Sequence, residues 1–85
     1  MAYEIEVRGV VQGVGFRPFI FRTANMLGIR GTVQNIGFGV KISAHASEKQ
    51  LSELVETIKK NHPPLARIDE VSVKKTASKA SPWLS

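Results

Sequence analysis

The hydrophobic repeat of this chain switches back and forth between two residues and about 3.6, and that succession limits the possible folds more than any composition figure. Tyr3, Ile5 and Val7 alternate with Glu4, Glu6 and Arg8, the pattern of a half-buried strand over 3–10. Phe16, Ile20, Ala24 and Leu27 then recur at helical spacing. Arg17-Pro18 opens that helix and Gly28 supplies a C-terminal stop. Residues 29–35, IRGTVQN, read as a second strand. After a glycine-rich turn at 36–39, Val40, Ile42 and Ala44 alternate with Lys41, Ser43 and His45 as a third. So short a connection predicts a hairpin. Ser47-Glu48-Lys49-Gln50 forms a capping box. Leu51, Leu54, Val55 and Ile58 continue it as an apolar helix stripe. Pro63-Pro64 ends that helix, and Val71 and Val73 mark a fourth strand.

Strand, helix, strand, strand, helix, strand is the order of a split βαβ unit. It predicts an α+β fold, a ferredoxin-like βαββαβ sandwich with an antiparallel sheet and two helices on one face. The half-polar strands suit a sheet with one wetted face. At 85 residues, folding buries only about 60–65% of the unfolded surface, leaving no material for a second core. One domain is expected over residues 1–76. Residues 77–85, ASKASPWLS, are expected to be a C-terminal tail or short edge segment.

Composition removes several function classes. With 42% hydrophobic and 22% charged residues, the chain resembles an ordinary globule rather than a disordered segment. It has no cysteine, which excludes disulfides, thiolate chemistry, iron–sulfur clusters and the usual structural zinc sites. No spaced His/Asp cluster offers a metal site, so neither metal nor cofactor is expected. No apolar run reaches about 18 residues, and MAYEIEVRG is not a signal peptide. A cytoplasmic location without membrane contact is therefore the expectation. A net charge of +5 suits an anionic partner.

The stretch QGVGFR, residues 12–17, lies between the first strand and the first helix. Glycine permits positive φ and close backbone approach, the requirement for a nest of amides around an anion. The helix N-terminus adds favourable potential, and Arg17 offers a fork of donors matched to phosphate oxygens. No GxxxxGK is present, and a dinucleotide loop needs a parallel neighbour that a hairpin does not supply. Spacing alone still leaves a tight turn with a surface arginine as the alternative. His45 reads as a solvated strand residue and His62 as a cap or loop residue. Lys59-Lys60 and Lys74-Lys75 read as helix-end and strand-edge charges.

VRGVVQGVGFR, then GTVQN, a turn and GVKI resemble the acylphosphatase family, whose pattern is VxGxVQGVxFR followed by GxVxN. The resemblance spans about residues 4–74. It implies that Gln12, Gly13, Val14, Gly15 and Phe16 cradle a phosphate together with Arg17, and that Asn35 positions the attacking water. Within that family, FRPFIFRTA and HPPLARID are similar to the N-terminal acylphosphatase-like domains of the HypF carbamoyltransferases. The partners so implied are a small acyl phosphate or carbamoyl phosphate, with inorganic phosphate or another anion in the loop. The chain departs from the family pattern at Thr32, where tryptophan is frequent, and at Phe38, where aspartate is. The family's usual closing strand is not evident in ASKASPWLS. A monomer is expected.

The chemistry agrees with these residue types. An acyl phosphate is a mixed anhydride whose leaving carboxylate needs no protonation, so the burden falls on positioning and charge neutralisation. Asn35 has no useful basicity, but its amide can hold a water in line with phosphorus. It is expected at the end of the second strand, with the first strand as a parallel neighbour, so that loop and asparagine converge. A distant alternative is RNA binding on the open sheet face. The third strand, GVKISAHA, lacks the interleaved aromatics this requires, and Phe16, Phe19 and Phe21 gather around the first helix. Nucleic acid is therefore not an expected partner.

Overall fold

Alternation along the first strand becomes two faces of a sheet. A computed structural model describes residues 2–76 as β1 (Ala2–Val10), α1 (Phe16–Leu27), β2 (Arg30–Ile36), β3 (Gly39–His45), α2 (Glu48–Asn61) and β4 (Arg67–Thr76). The strands stand in the order β2-β3-β1-β4, and every neighbouring pair is antiparallel. The expected ferredoxin-like βαββαβ fold is what forms. On one face Ile5 and Val7 lie opposite Ile42 and Val40, and all four are buried. Phe16 and Ile20 of α1 and Leu54 and Ile58 of α2 complete the same core. Each such side chain contributes roughly 1.5–3 kcal/mol by leaving water.

The other face is polar and paired by charge. Lys41 Nζ lies 3.4 Å from Glu4, while Arg8 reaches Glu6 at 3.9 Å and Glu70 at 3.8 Å. No aromatic ladder runs through these rows. Among the described residues no helix is long and apolar enough to cross a membrane.

The helix ends follow the sequence signals. Gly28 caps α1 in the left-handed region, and Ile29 N–H donates to Ala24 O at 2.8 Å. At α2, Gln50 N–H donates to Ser47 Oγ at 3.1 Å and Ser47 N–H to Gln50 Oε1 at 2.8 Å. The Gln50 amide also donates to Leu27 O at 2.8 Å, tying the start of α2 to the end of α1. His62 caps the C-terminus of α2, and its Nδ1 donates to Pro63 O at 3.0 Å.

Two expectations need correction. β1 and β2 run in the same direction but are not neighbours: β3 lies between them. The tight β2–β3 turn makes β3 the partner of β2, and β3 then pairs with β1. β4 is also longer than the Val71–Val73 alternation suggested, beginning at Arg67. A shift of register at Arg8/Gly9 lets Val10 pair with Arg67, and a bulge of this kind hides the alternation that would have revealed the strand. The expected tail or edge segment at 77–85 lies outside the described residues.

Candidate active site

The C-terminal end of β1 leads into a loop shaped by glycine. Gly13 and Gly15 take φ of 74° and 80°, left-handed conformations that other L-residues adopt only at a cost. A Cβ at either would meet nothing within 4 Å, so the backbone conformation, not crowding, calls for glycine. Gly15 is also the N-cap of α1 and offers no side-chain cap.

The result is a run of unused donors. Neither backbone nor side-chain acceptors among the described residues take the N–H groups from Gln12 to Arg17. The first helical bond runs from Phe19 N–H to Gly15 O at 3.2 Å, because Pro18 has no N–H to give. The first turn of α1 holds no acidic residue. It holds Arg17 instead, exposed and absent from every ion pair among the described residues. A cation at the positive end of a helix dipole is unfavourable by itself. Unclaimed N–H groups, a helix N-terminus and an exposed guanidinium together give this loop a positive potential.

Asn35 reaches the same end of the molecule by a different strand. It pairs with Val40, which pairs with Val7. Residues directly opposite in a ladder share a face, so Asn35 lies on the helix-bearing face, whereas its neighbour Gln34 shares the open face with Lys41 and Glu6. Asn35 is exposed at the last turn of the β2–β3 hairpin. Although β3 separates the strands, β1 and β2 both end at the pole where the loop begins. The two strands end at one pole as expected, but they are not the expected neighbours.

One contact was not foreseen. Gln12, expected among the cradle residues, directs its side chain away from the loop. Its Nε2 donates to Ile36 O at 2.8 Å and to Gly39 O at 3.0 Å, spanning the hairpin turn that carries Asn35. Only its backbone N–H remains for an anion. The turn is held from β1 as well: Gly9 N–H donates to Phe38 O at 3.2 Å, and the Arg8 guanidinium stacks 4.4 Å above the Phe38 ring. Phe38 thus leans toward the open face rather than the anion loop. Thr32 faces the same open side, opposite Ser43. Nothing in the QG dipeptide signals a contact 24 and 27 residues away.

A separate cleft of about 300 Å³ runs between α1 and β2, lined by Phe21, Ala24, Asn25 and Val33 among others, and neither Arg17 nor Asn35 lines it. Among the described residues no three His, Cys, Asp or Glu side chains gather into a metal-binding group.

Comparisons with known proteins bear on this geometry. The family model described as Acylphosphatase matches residues 3–81. The chain is 53% identical over 74 residues to carbamoyltransferase HypF2 of Cupriavidus necator, covering 87% of this chain but 9% of that protein. It is 45% identical over 69 residues to an acylphosphatase of Caldivirga maquilingensis, covering 79% of this chain and 72% of that one. Among solved structures, full-length HypF in a phosphate- and nucleotide-bound form superposes with a TM-score of 0.87 and 38% identity, over 95% of this chain and 11% of the other. The chain therefore spans about a tenth of the length of the HypF proteins it matches, and most of the length of the small acylphosphatase.

Proposed function

This chain belongs to the acylphosphatase family, and from that premise we propose that it hydrolyses acyl phosphates, with the 12–17 loop holding the phosphoryl group and Asn35 the attacking water. The observation that carries the assignment is the run of N–H groups from Gln12 to Arg17 unclaimed among the described residues, closed by an arginine with no acidic partner among them.

The backbone N–H groups of Gln12, Gly13, Val14, Gly15, Phe16 and Arg17 find no protein acceptor among the described residues and so donate to phosphoryl oxygens. The Arg17 guanidinium adds charge-assisted bonds where negative charge is shared between equatorial oxygens. Asn35 holds a water through its side-chain amide. The water oxygen bonds to phosphorus as the bond from phosphorus to the acyl oxygen breaks. The carboxylate departs with that electron pair, and the water proton passes to a phosphate oxygen. The leaving group is already a stable anion, so no general acid is required. The chain contributes position and charge, and no metal or cofactor has a role in these steps.

The test is hydrolysis of benzoyl phosphate by wild type, Arg17→Ala and Asn35→Ala, with and without chelator. Losing a transition-state arginine costs on the order of 10³-fold or more in rate, and Arg17→Ala is expected to fall in that range. Asn35→Ala is expected to lower kcat while leaving inhibition by inorganic phosphate nearly intact. Full activity in both variants would refute the site, and loss of activity with chelator would refute the metal-free mechanism.

The likeness to HypF proteins supports a second reading, in which this domain receives carbamoyl phosphate within a larger carbamoyltransferase. Carbamoyl phosphate is itself an acyl phosphate, so the same loop and arginine serve it. A kcat/KM for carbamoyl phosphate well above that for benzoyl phosphate favours this reading.

A further inference from the structure

We propose that the Gln12 side chain is a positioning residue that sets Asn35 against the phosphate loop, rather than a ligand of the phosphate. The inference rests on the site assignment above and adds a coupling between its two halves.

The geometry is specific. A primary amide nitrogen carries two protons, and the Gln12 Nε2 places one on Ile36 O at 2.8 Å and the other on Gly39 O at 3.0 Å. Those carbonyls flank the turn Gly37-Phe38. Ile36 follows Asn35 directly, and Gly39 precedes Val40, the residue that pairs with Asn35. Both donors of one side chain are therefore committed to the two ends of the turn on which Asn35 is mounted. The backbone of the same residue begins the run of unclaimed amides. No other side chain of the loop is hydrogen-bonded to the hairpin among the described residues.

Among the described residues β2 is an edge strand with a single neighbour, and Asn35 lies near its end. β1 and β2 are not hydrogen-bonded to each other, so apart from Gln12 the loop is related to Asn35 through β3 and through Gly9 N–H on Phe38 O in the turn. Gln12 adds a tie from the loop itself to both ends of that turn. In the reaction, Asn35 must hold a water within a narrow range of angles behind phosphorus, while the loop fixes the phosphorus. A displacement of about 1 Å between two such groups costs on the order of 10²-fold in rate.

The test compares Gln12→Met, which keeps the length and removes both donors, with Gln12→Glu, which places a carboxylate against two carbonyl oxygens. Thermal melts confirm that each variant folds. Both are expected to lower kcat for benzoyl phosphate, by on the order of 10²-fold for Gln12→Met and more for Gln12→Glu. The inhibition constant for inorganic phosphate, which reads the loop and Arg17 alone, is expected to change by less than about twofold in Gln12→Met, as for a site that does not share the contact. The decisive measurement is a double-mutant cycle on the residual activity that anion binding alone supports. With Asn35 already replaced by alanine, adding Gln12→Met is expected to cost no more than about twofold, because the group it positions is gone. An undiminished loss in the Asn35→Ala background overturns the proposal, as does a rise in the phosphate inhibition constant matching the fall in kcat. Failure of the underlying site assignment is distinct, since it appears as full activity in Arg17→Ala and Asn35→Ala themselves.

Discussion

At the scale of single residues, glycine and arginine mean little apart and much together. Gly15 takes a left-handed conformation at the N-cap of α1 with open space around its missing Cβ. Gly15→Ala is therefore expected to fold, at a cost of about 1–2 kcal/mol from the backbone alone. Asparagine, which tolerates that region, is expected to be milder than valine, which does not. Chemical denaturation ranks the three variants, and phosphate affinity is expected to follow the same order because the loop amides share the conformation. Arg17 and Asn35 stand out in the sequence because their residue types suit the chemistry proposed for them. The Gln12 side chain does not, because its partners are backbone carbonyls of a turn, and any sequence supplies carbonyls. Phe38 was likewise illegible: its ring rests on Arg8, and only the β1–β3 register brings those residues together.

Secondary-structure elements follow their local signals where an element carries its own punctuation. α2 is the clearest case, since Ser47 and Gln50 satisfy each other's backbone ahead of a regular stripe. Ser47→Ala is expected to destabilise the fold by about 1 kcal/mol, lowering the melting temperature by roughly 4–8 °C. Gln50→Ala is expected to cost more than a cap alone, because its amide also bonds Leu27 O at the end of α1. Differential scanning calorimetry of the two variants tests that ranking. β4 shows the opposite situation. Its early residues hide behind a shift of register, and as an edge strand its side chains are mostly exposed, so the period that identifies a strand is diluted. The order of strands is weaker still in sequence. A hairpin is visible from its short turn, but which of its strands meets β1 depends on how the helices cross the sheet.

For the molecule as a whole, binding and stability are linked. An anion held by native loop amides has nothing comparable to hold it in the unfolded chain. Inorganic phosphate at about one hundred times its Kd is expected to add about 2.7 kcal/mol of stability, a rise in melting temperature of roughly 10–20 °C. Arg17→Ala is expected to abolish most of that rise while leaving the melt in phosphate-free buffer nearly unchanged, since Arg17 is exposed and forms no ion pair among the described residues. A thermal shift series in phosphate, with sulfate as a comparison, measures it. Arrangement at this scale has one more consequence. Ala2 and Thr76 are cross-strand partners, at the end of the sheet opposite the loop where Val10 meets Arg67. The described residues thus begin and end at one pole, while the glycine loop stands at the other. The two ends of the described fold meet like the halves of a clasp, and the loop opens a sheet's length away from them.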